Sequence, residues 1–134
     1  MHSYRKKTKI IAFAGVLLFA VSCKPSLLDV ITNNGVGYWS RYEDGYIHEY
    51  SKKDSMARFL DPDWKCVDST YQCHYRQFYV ANDTLFEFID YGGRKIVFDT
   101  TLVVSYSKNT LVVKGGDEFG NAVDVVWKRR KKNK

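Results

Sequence analysis

From residue 36 to residue 128 the chain is a succession of short runs rich in Tyr, Phe, Val, Ile and Thr. Gly, Asn, Asp and Ser interrupt them about every ten residues, the spacing of turns in an all-β sandwich or barrel. β-branched and aromatic side chains suit a pleated, half-buried surface, and no helix-period stretch of useful length intervenes. Strands are expected over residues 36–42, 46–50, 56–60, 64–67, 72–81, 84–90, 95–99, 102–106, 110–114 and 122–128. Asp44-Gly45 and Gly92-Gly93 can supply the positive φ of tight hairpins, and Asn82-Asp83 and Lys108-Asn109 tolerate left-handed backbone. Pro62, between Asp61 and Asp63, has no donor for a ladder and breaks pairing. Short connections make sequence neighbours pair antiparallel. A meander of this kind keeps two exposed edges unless it closes, so Val123-Asp-Val-Val-Trp127 is expected to return beside Val36-Gly-Tyr-Trp-Ser40. The fold class is all-β: an antiparallel up-and-down barrel of about eight to ten short strands.

The start of the chain is of a different kind. Arg5, Lys6, Lys7 and Lys9, with no acidic residue among them, precede an apolar run over residues 10–21. A membrane-spanning helix needs about 20 apolar residues, and this run has 12, so an export signal over residues 1–22 is the better reading. Its boundary, Ala20-Val21-Ser22-Cys23, resembles the lipobox of bacterial lipoproteins, with Ala20 where that motif usually has Leu. The resemblance implies that Cys23 becomes the acylated first residue of the mature chain, with palmitate-type chains giving stable anchoring to a bacterial membrane, the outer membrane being the expected one. Residues 23–34, with Pro25 near their start, then read as a tether carrying a helical turn near residues 26–31; residues 35–128 are the barrel domain and 129–134 a basic tail.

Removing residues 1–22 changes the charge. The whole chain carries +6, but the mature part has 17 Lys+Arg against 15 Asp+Glu. Six of those 17 lie in residues 128–134, leaving residues 23–127 at a net −4. A nucleic-acid binder shows its basic stripe on the fold; here the positive charge is terminal, and no nucleic-acid partner is expected. The tail reads either as a solvated end or as an electrostatic contact with anionic lipid headgroups.

With Cys23 acylated, Cys66 and Cys73 remain as an even pair in an exported chain, a context in which a bridge persists. A turn at residues 68–71 would oppose them across a hairpin, within bridging distance. Two free thiols, or a metal site with His74, are the alternatives. A metal asks for three or four ligands at recognised spacing, and none is expected, nor any cofactor.

Gly37-Tyr38-Trp39 opens the first strand and is similar to the Gly-x-Trp of lipocalins. The segments over residues 78–85 and 104–111 each run strand, polar turn, then a strand opening on Thr-Leu, which resembles the small lipocalin-like lipoproteins of Bacteroidetes. The likeness implies that Trp39 plugs one end of the barrel under Arg129 or Arg130. It departs at the C-terminus, where lipocalins carry a helix and this chain a basic tail. An eight-stranded barrel is either filled by side chains or holds one small molecule; the mature chain's nine Tyr, six Phe and three Trp fit both. The lipocalin likeness leans towards a cavity for a small apolar ligand, with Trp39 and Glu87 as candidate binding residues. Glu87 alternates with Leu85 and Ile89, and an inward face would make it a semi-buried carboxylate.

No Gly-x-Ser-x-Gly, phosphate loop, His-Glu-x-x-His or dinucleotide fingerprint occurs, and no catalytic residues are assigned. Asp54-Ser55-Met56, Asp68-Ser69-Thr70, Asp83-Thr84-Leu85 and Asp99-Thr100-Thr101 resemble the acceptor for O-glycosylation in exported Bacteroidetes proteins, making Ser55, Ser69, Thr84 and Thr100 candidate sites. Asp-Ser and Asp-Thr are equally ordinary turn chemistry. The expected function is non-enzymatic binding at the cell envelope: a membrane-anchored carrier of a small apolar ligand, or a filled barrel that contacts an envelope protein as an inhibitor or immunity protein does.

Overall fold

The computed structural model describes residues 24–67 and 76–132. A helix, α1 (Leu27–Thr32), precedes eight strands: β1 (Val36–Ser40), β2 (Ile47–Ser51), β3 (Ala57–Leu60), β4 (Arg76–Ala81), β5 (Thr84–Tyr91), β6 (Arg94–Tyr106), β7 (Thr110–Gly116) and β8 (Ala122–Arg129). They form one antiparallel sheet in the order β3-β2-β1-β8-β7-β6-β5-β4. That order is the up-and-down succession, each strand beside its chain neighbours. The first and last strands meet as expected, with Trp39 opposite Arg129 and Ser40 opposite Lys128. The sheet curls until its two ends approach. Among the described residues, β3 and β4 touch through a bridge between Met56 and Gln77, beside which the Phe78 N–H donates to the Ser55 carbonyl at 3.0 Å. The seam of the barrel lies there.

Ten expected strands become eight for two physical reasons. The stretches 95–99 and 102–106 are one strand, β6: the polar residues between them do not turn, and a register shift opposite Glu87 and Phe88 absorbs the irregularity as a bulge. The stretch 64–67 is not a strand. Trp64 has φ +66°, and the segment after Pro62 folds back on β3, with Asp61 N–H donating to Lys65 O and Val67 N–H to Phe59 O, and one bridge between Leu60 and Cys66. The leader 1–22, Cys23, the turn expected at 68–71, Ser69 and Cys73 lie outside the described residues.

Most of the turns follow their residue chemistry. Gly45, Gly92, Gly93 and Asn82 have positive φ, and Asp44 accepts from the Tyr46 N–H as an Asx turn does. Lys108-Asn109 turns without left-handed backbone, closed by Ser107 N–H to Thr110 O and by the paired Ser107 and Thr110 hydroxyls.

Residues 24–34, the described part of the expected tether, pack as a lid. Ser26 caps α1 by accepting from the Asp29 N–H, and Asn33 ends it in the left-handed conformation, its N–H donating back to Asp29 O and Val30 O. Leu27, Val30 and Ile31 are buried in the same core as Trp39, Tyr50, Phe78, Leu85, Leu111 and Trp127. A six-residue helix is marginal alone; burial of its apolar face holds it. Gly37 makes the seat. A Cβ there would fall inside the Ile31 carbonyl, so only glycine lets α1 lie on β1. Two residues on, the Trp39 indole N–H donates to that Ile31 oxygen at 2.8 Å. Ile47 and Leu60, opposed across β2 and β3, are buried outside that core cluster. Among the described residues no helix is long and apolar enough to cross a membrane.

Candidate functional site

The barrel has two unlike ends. α1 closes one, together with the β2–β3, β4–β5 and β6–β7 turns and the end of β8. The other, the mouth, is ringed by the β1–β2, β5–β6 and β7–β8 turns and by residues 61–67, which follow β3.

Strand alternation decides what lies between. Trp39 points inward, so Arg41 two residues later does too. By the same rule Phe78 brings Arg76, Leu85 brings Glu87, and Tyr50 brings His48. Glu87, whose side chain is 1% exposed, is the hub: one carboxylate oxygen lies 2.7 Å from Arg41 and the other 2.7 Å from Arg76. Arg41 also donates to Asp99 at 3.1 Å and to the Tyr50 hydroxyl at 2.7 Å. Two cations thus face two carboxylates, and the cluster is neutral. The guanidiniums also cover rings, Arg41 4.1 Å from the Trp127 centroid and Arg76 4.8 Å from that of Phe98. Burial works against the charge of Arg41, but Tyr50 and Glu87 outweigh it and raise its pKa. Burial raises the Tyr50 hydroxyl as well. Burial, seconded by Arg41 and Arg76, pushes His48 down to about 2, so it stands as a neutral ring between Phe59 and Trp127.

Above this floor the mouth holds a recess of about 210 Å³ lined by Arg41, Tyr42, Asp44, Tyr46, His48 and Phe59. Its rim is apolar and exposed: Tyr42 is 67% and Phe119 80% accessible, and Tyr46, Tyr91, Ile96, Val97 and Phe98 are also exposed. The last four lie on the β5–β6 hairpin.

The candidates named from sequence fall in separate places. Trp39 is fully buried at the closed end, with the Arg129 guanidinium 4.6 Å from its ring centroid; of the two arginines considered for that position, Arg129 occupies it. Glu87 faces inward beside Leu85 and Ile89 and is fully rather than partly buried. The two do not share a cavity. Cys66 pairs with Leu60 at the mouth-side connection. Ser55 is exposed in the β2–β3 turn, Thr100 is exposed on β6 and Thr84 is half-buried at the start of β5. Arg41, Arg76, Tyr50 and His48 are not marked by any motif in the sequence, and Asp99 is marked there only as part of the Asp99-Thr100-Thr101 motif. The signal was the i, i+2 spacing of Arg41 from Trp39 and of Arg76 from Phe78. Among the described residues no group of three or more His, Cys, Asp or Glu side chains could hold a metal.

Charge divides along the same axis. The closed-end segments, residues 24–35, 52–56, 82–83, 107–109 and 129–132, carry eight basic and three acidic residues; the mouth segments, 41–46, 61–67, 90–95 and 117–121, carry four basic and seven acidic. Lys24, the first described residue, is at the closed end, 4.4 Å from the Tyr106 ring centroid. Comparison with family models, curated proteins and solved structures returned no match.

Proposed function

We propose that the protein is a lipid-anchored binding module of the cell envelope that presents the barrel mouth to a protein partner. Acyl chains on Cys23 would hold the closed end at the membrane, since Cys23 directly precedes Lys24. The observation that carries this reading is the opposition of the two ends: Tyr42, Tyr91, Ile96, Val97, Phe98 and Phe119 are exposed at the mouth, opposite the end from which the anchor would emerge. Exposed aromatic residues grouped at one site mark interaction surfaces. The barrel axis is occupied by Trp39, Tyr50, Phe78, Glu87 and Trp127, which favours a surface contact over a deep carrier pocket. The recess of about 210 Å³ keeps a second reading, a small apolar ligand at the mouth.

A photo-crosslinking amino acid at Phe119 or Tyr42 in the native envelope is expected to trap one discrete protein, and the same amino acid at Lys53, on the closed end, is not. Equal trapping from both ends would sink the reading; lipid co-purifying in native mass spectra, with no protein crosslink, would favour the second. An oxidising compartment would also keep Cys66 and Cys73 joined, read as resistance of both thiols to alkylation until reductant is added.

A further inference from the structure

We infer that the closed end carries a binding site for the phosphate of an anionic phospholipid headgroup, in the cleft between the end of β8 and the β6–β7 turn. The choice of lipid as the source of phosphate rests on the anchor reading of Cys23. The cleft, about 490 Å³, is lined by Lys108, Arg129, Arg130, Lys131 and Lys132 together with Asn109 and other neutral residues, and by no carboxylate. None of these five cations takes part in an ion pair among the described residues. The nearest carboxylate of α1, Asp29, is held by Lys52 at 2.7 Å.

The expected basic tail begins as part of the fold, and this makes it a site. Arg129 ends β8, its N–H donating to Asn109 O, and the Arg130 N–H donates to Tyr38 O at 2.8 Å. The Arg129 side chain is fixed by three contacts: Nε to Lys108 O and Nη2 to Val30 O, each 2.6 Å, and the face of Trp39. Carbonyl dipoles and a ring hold its position without cancelling its charge. Its partial burial against Trp39 and α1 also lowers its pKa, and an anion entering the cleft would offset that cost. A guanidinium flanked by flexible ammonium groups suits the several oxygens of a phosphate.

The test uses the full acylated chain in neutral detergent micelles, titrated with dihexanoyl phosphatidylglycerol, dihexanoyl phosphatidylcholine, inorganic phosphate or a single-stranded oligonucleotide, and read from amide shifts of Asn109, Arg129 and Arg130. Phosphatidylglycerol is expected to bind at least about tenfold tighter than phosphatidylcholine, and Lys108→Glu with Lys132→Glu, both exposed positions, to abolish that preference, because the pair reverses two of the five charges that attract the anionic headgroup. Equal binding of the two lipids, or a double variant that binds like the parent, overturns the site. Inorganic phosphate matching phosphatidylglycerol, or the oligonucleotide exceeding it, overturns the lipid assignment. Intact mass of the same preparation reports acylation separately: an unmodified Cys23 with tight phosphatidylglycerol binding defeats the anchor and spares the site.

Discussion

Glu87 accepts from two guanidiniums in the middle of a barrel otherwise filled by rings and aliphatic groups. Taking two such cations out of water costs several kcal/mol each, and the carboxylate offsets that only while both bonds stand. Glu87→Gln leaves Arg41 and Arg76 beside a neutral amide, and a loss of about 3 to 5 kcal/mol is expected in urea unfolding; a loss under about 1 kcal/mol would mean that water, not Glu87, solvates the arginines. His48 supplies the pH dependence. Its folded pKa, about 2, lies below the ordinary unfolded value near 6.5, so the unfolded chain binds the proton first. Stability is complete above about pH 6.5 and falls by about 1.4 kcal/mol per pH unit beneath it. His48→Phe keeps a ring between Phe59 and Trp127 and is expected to flatten the slope between pH 6.5 and 4.5; unchanged acid sensitivity in the variant would exonerate His48.

At the scale of elements, Gly37 joins α1 to β1. Ala at this position must drive its Cβ into the Ile31 carbonyl, and backbone cannot yield as a side-chain tip does. Either α1 lifts, losing the Trp39–Ile31 bond and the burial of Leu27, Val30 and Ile31, or β1 bends. A cost of about 3 kcal/mol is expected for Gly37→Ala, the upper part of the overpacking range, with hydrogen exchange rising first in residues 27–34; exchange confined to β1 would argue that α1 is independent of its seat. The same region shows what the sequence disclosed. Strand alternation, turn residues and the Ser26 cap are written within a few residues and exposed the strands and the helical turn, while the β1–β8 closure followed from the need to cover the edges of a meander. That α1 is a lid was not legible, since six residues are too few for a periodic signal and the decisive contact is with Gly37. The ion cluster was half legible: alternation aimed Glu87 inward, but Arg76 and Asp99 belong to other strands, and their meeting depends on a pairing register and a bulge that no local pattern encodes. Residues 64–67 looked like strand because Trp64, Cys66 and Val67 are apolar, whereas Pro62 and the positive φ of Trp64 fold the segment back on β3.

Taken whole, the described barrel is divided in charge, its positive end holding Lys24 and residues 129–132 among its basic groups. Eight basic residues against three acidic at one end, and seven acidic against four basic at the other, give a molecule that an anionic surface should orient as well as attract. If Cys23 is acylated as proposed, acyl chains alone would permit the barrel to lie on its side, because they would fix one point and no direction. Each basic residue near an anionic leaflet contributes about 1 kcal/mol, and turning the acidic mouth towards that leaflet would cost energy of the opposite sign, so an upright stance is favoured by several RT. Neutron reflectometry of the acylated protein on supported bilayers is therefore expected to show a thicker, narrower protein layer when phosphatidylglycerol is present than on phosphatidylcholine alone. About 1 M salt, which shortens the screening length to about 3 Å, should erase the difference while the protein stays bound. A layer profile indifferent to both lipid charge and salt would mean that the charge division does not orient the barrel, and that the proposed anchor would leave the mouth free to rotate.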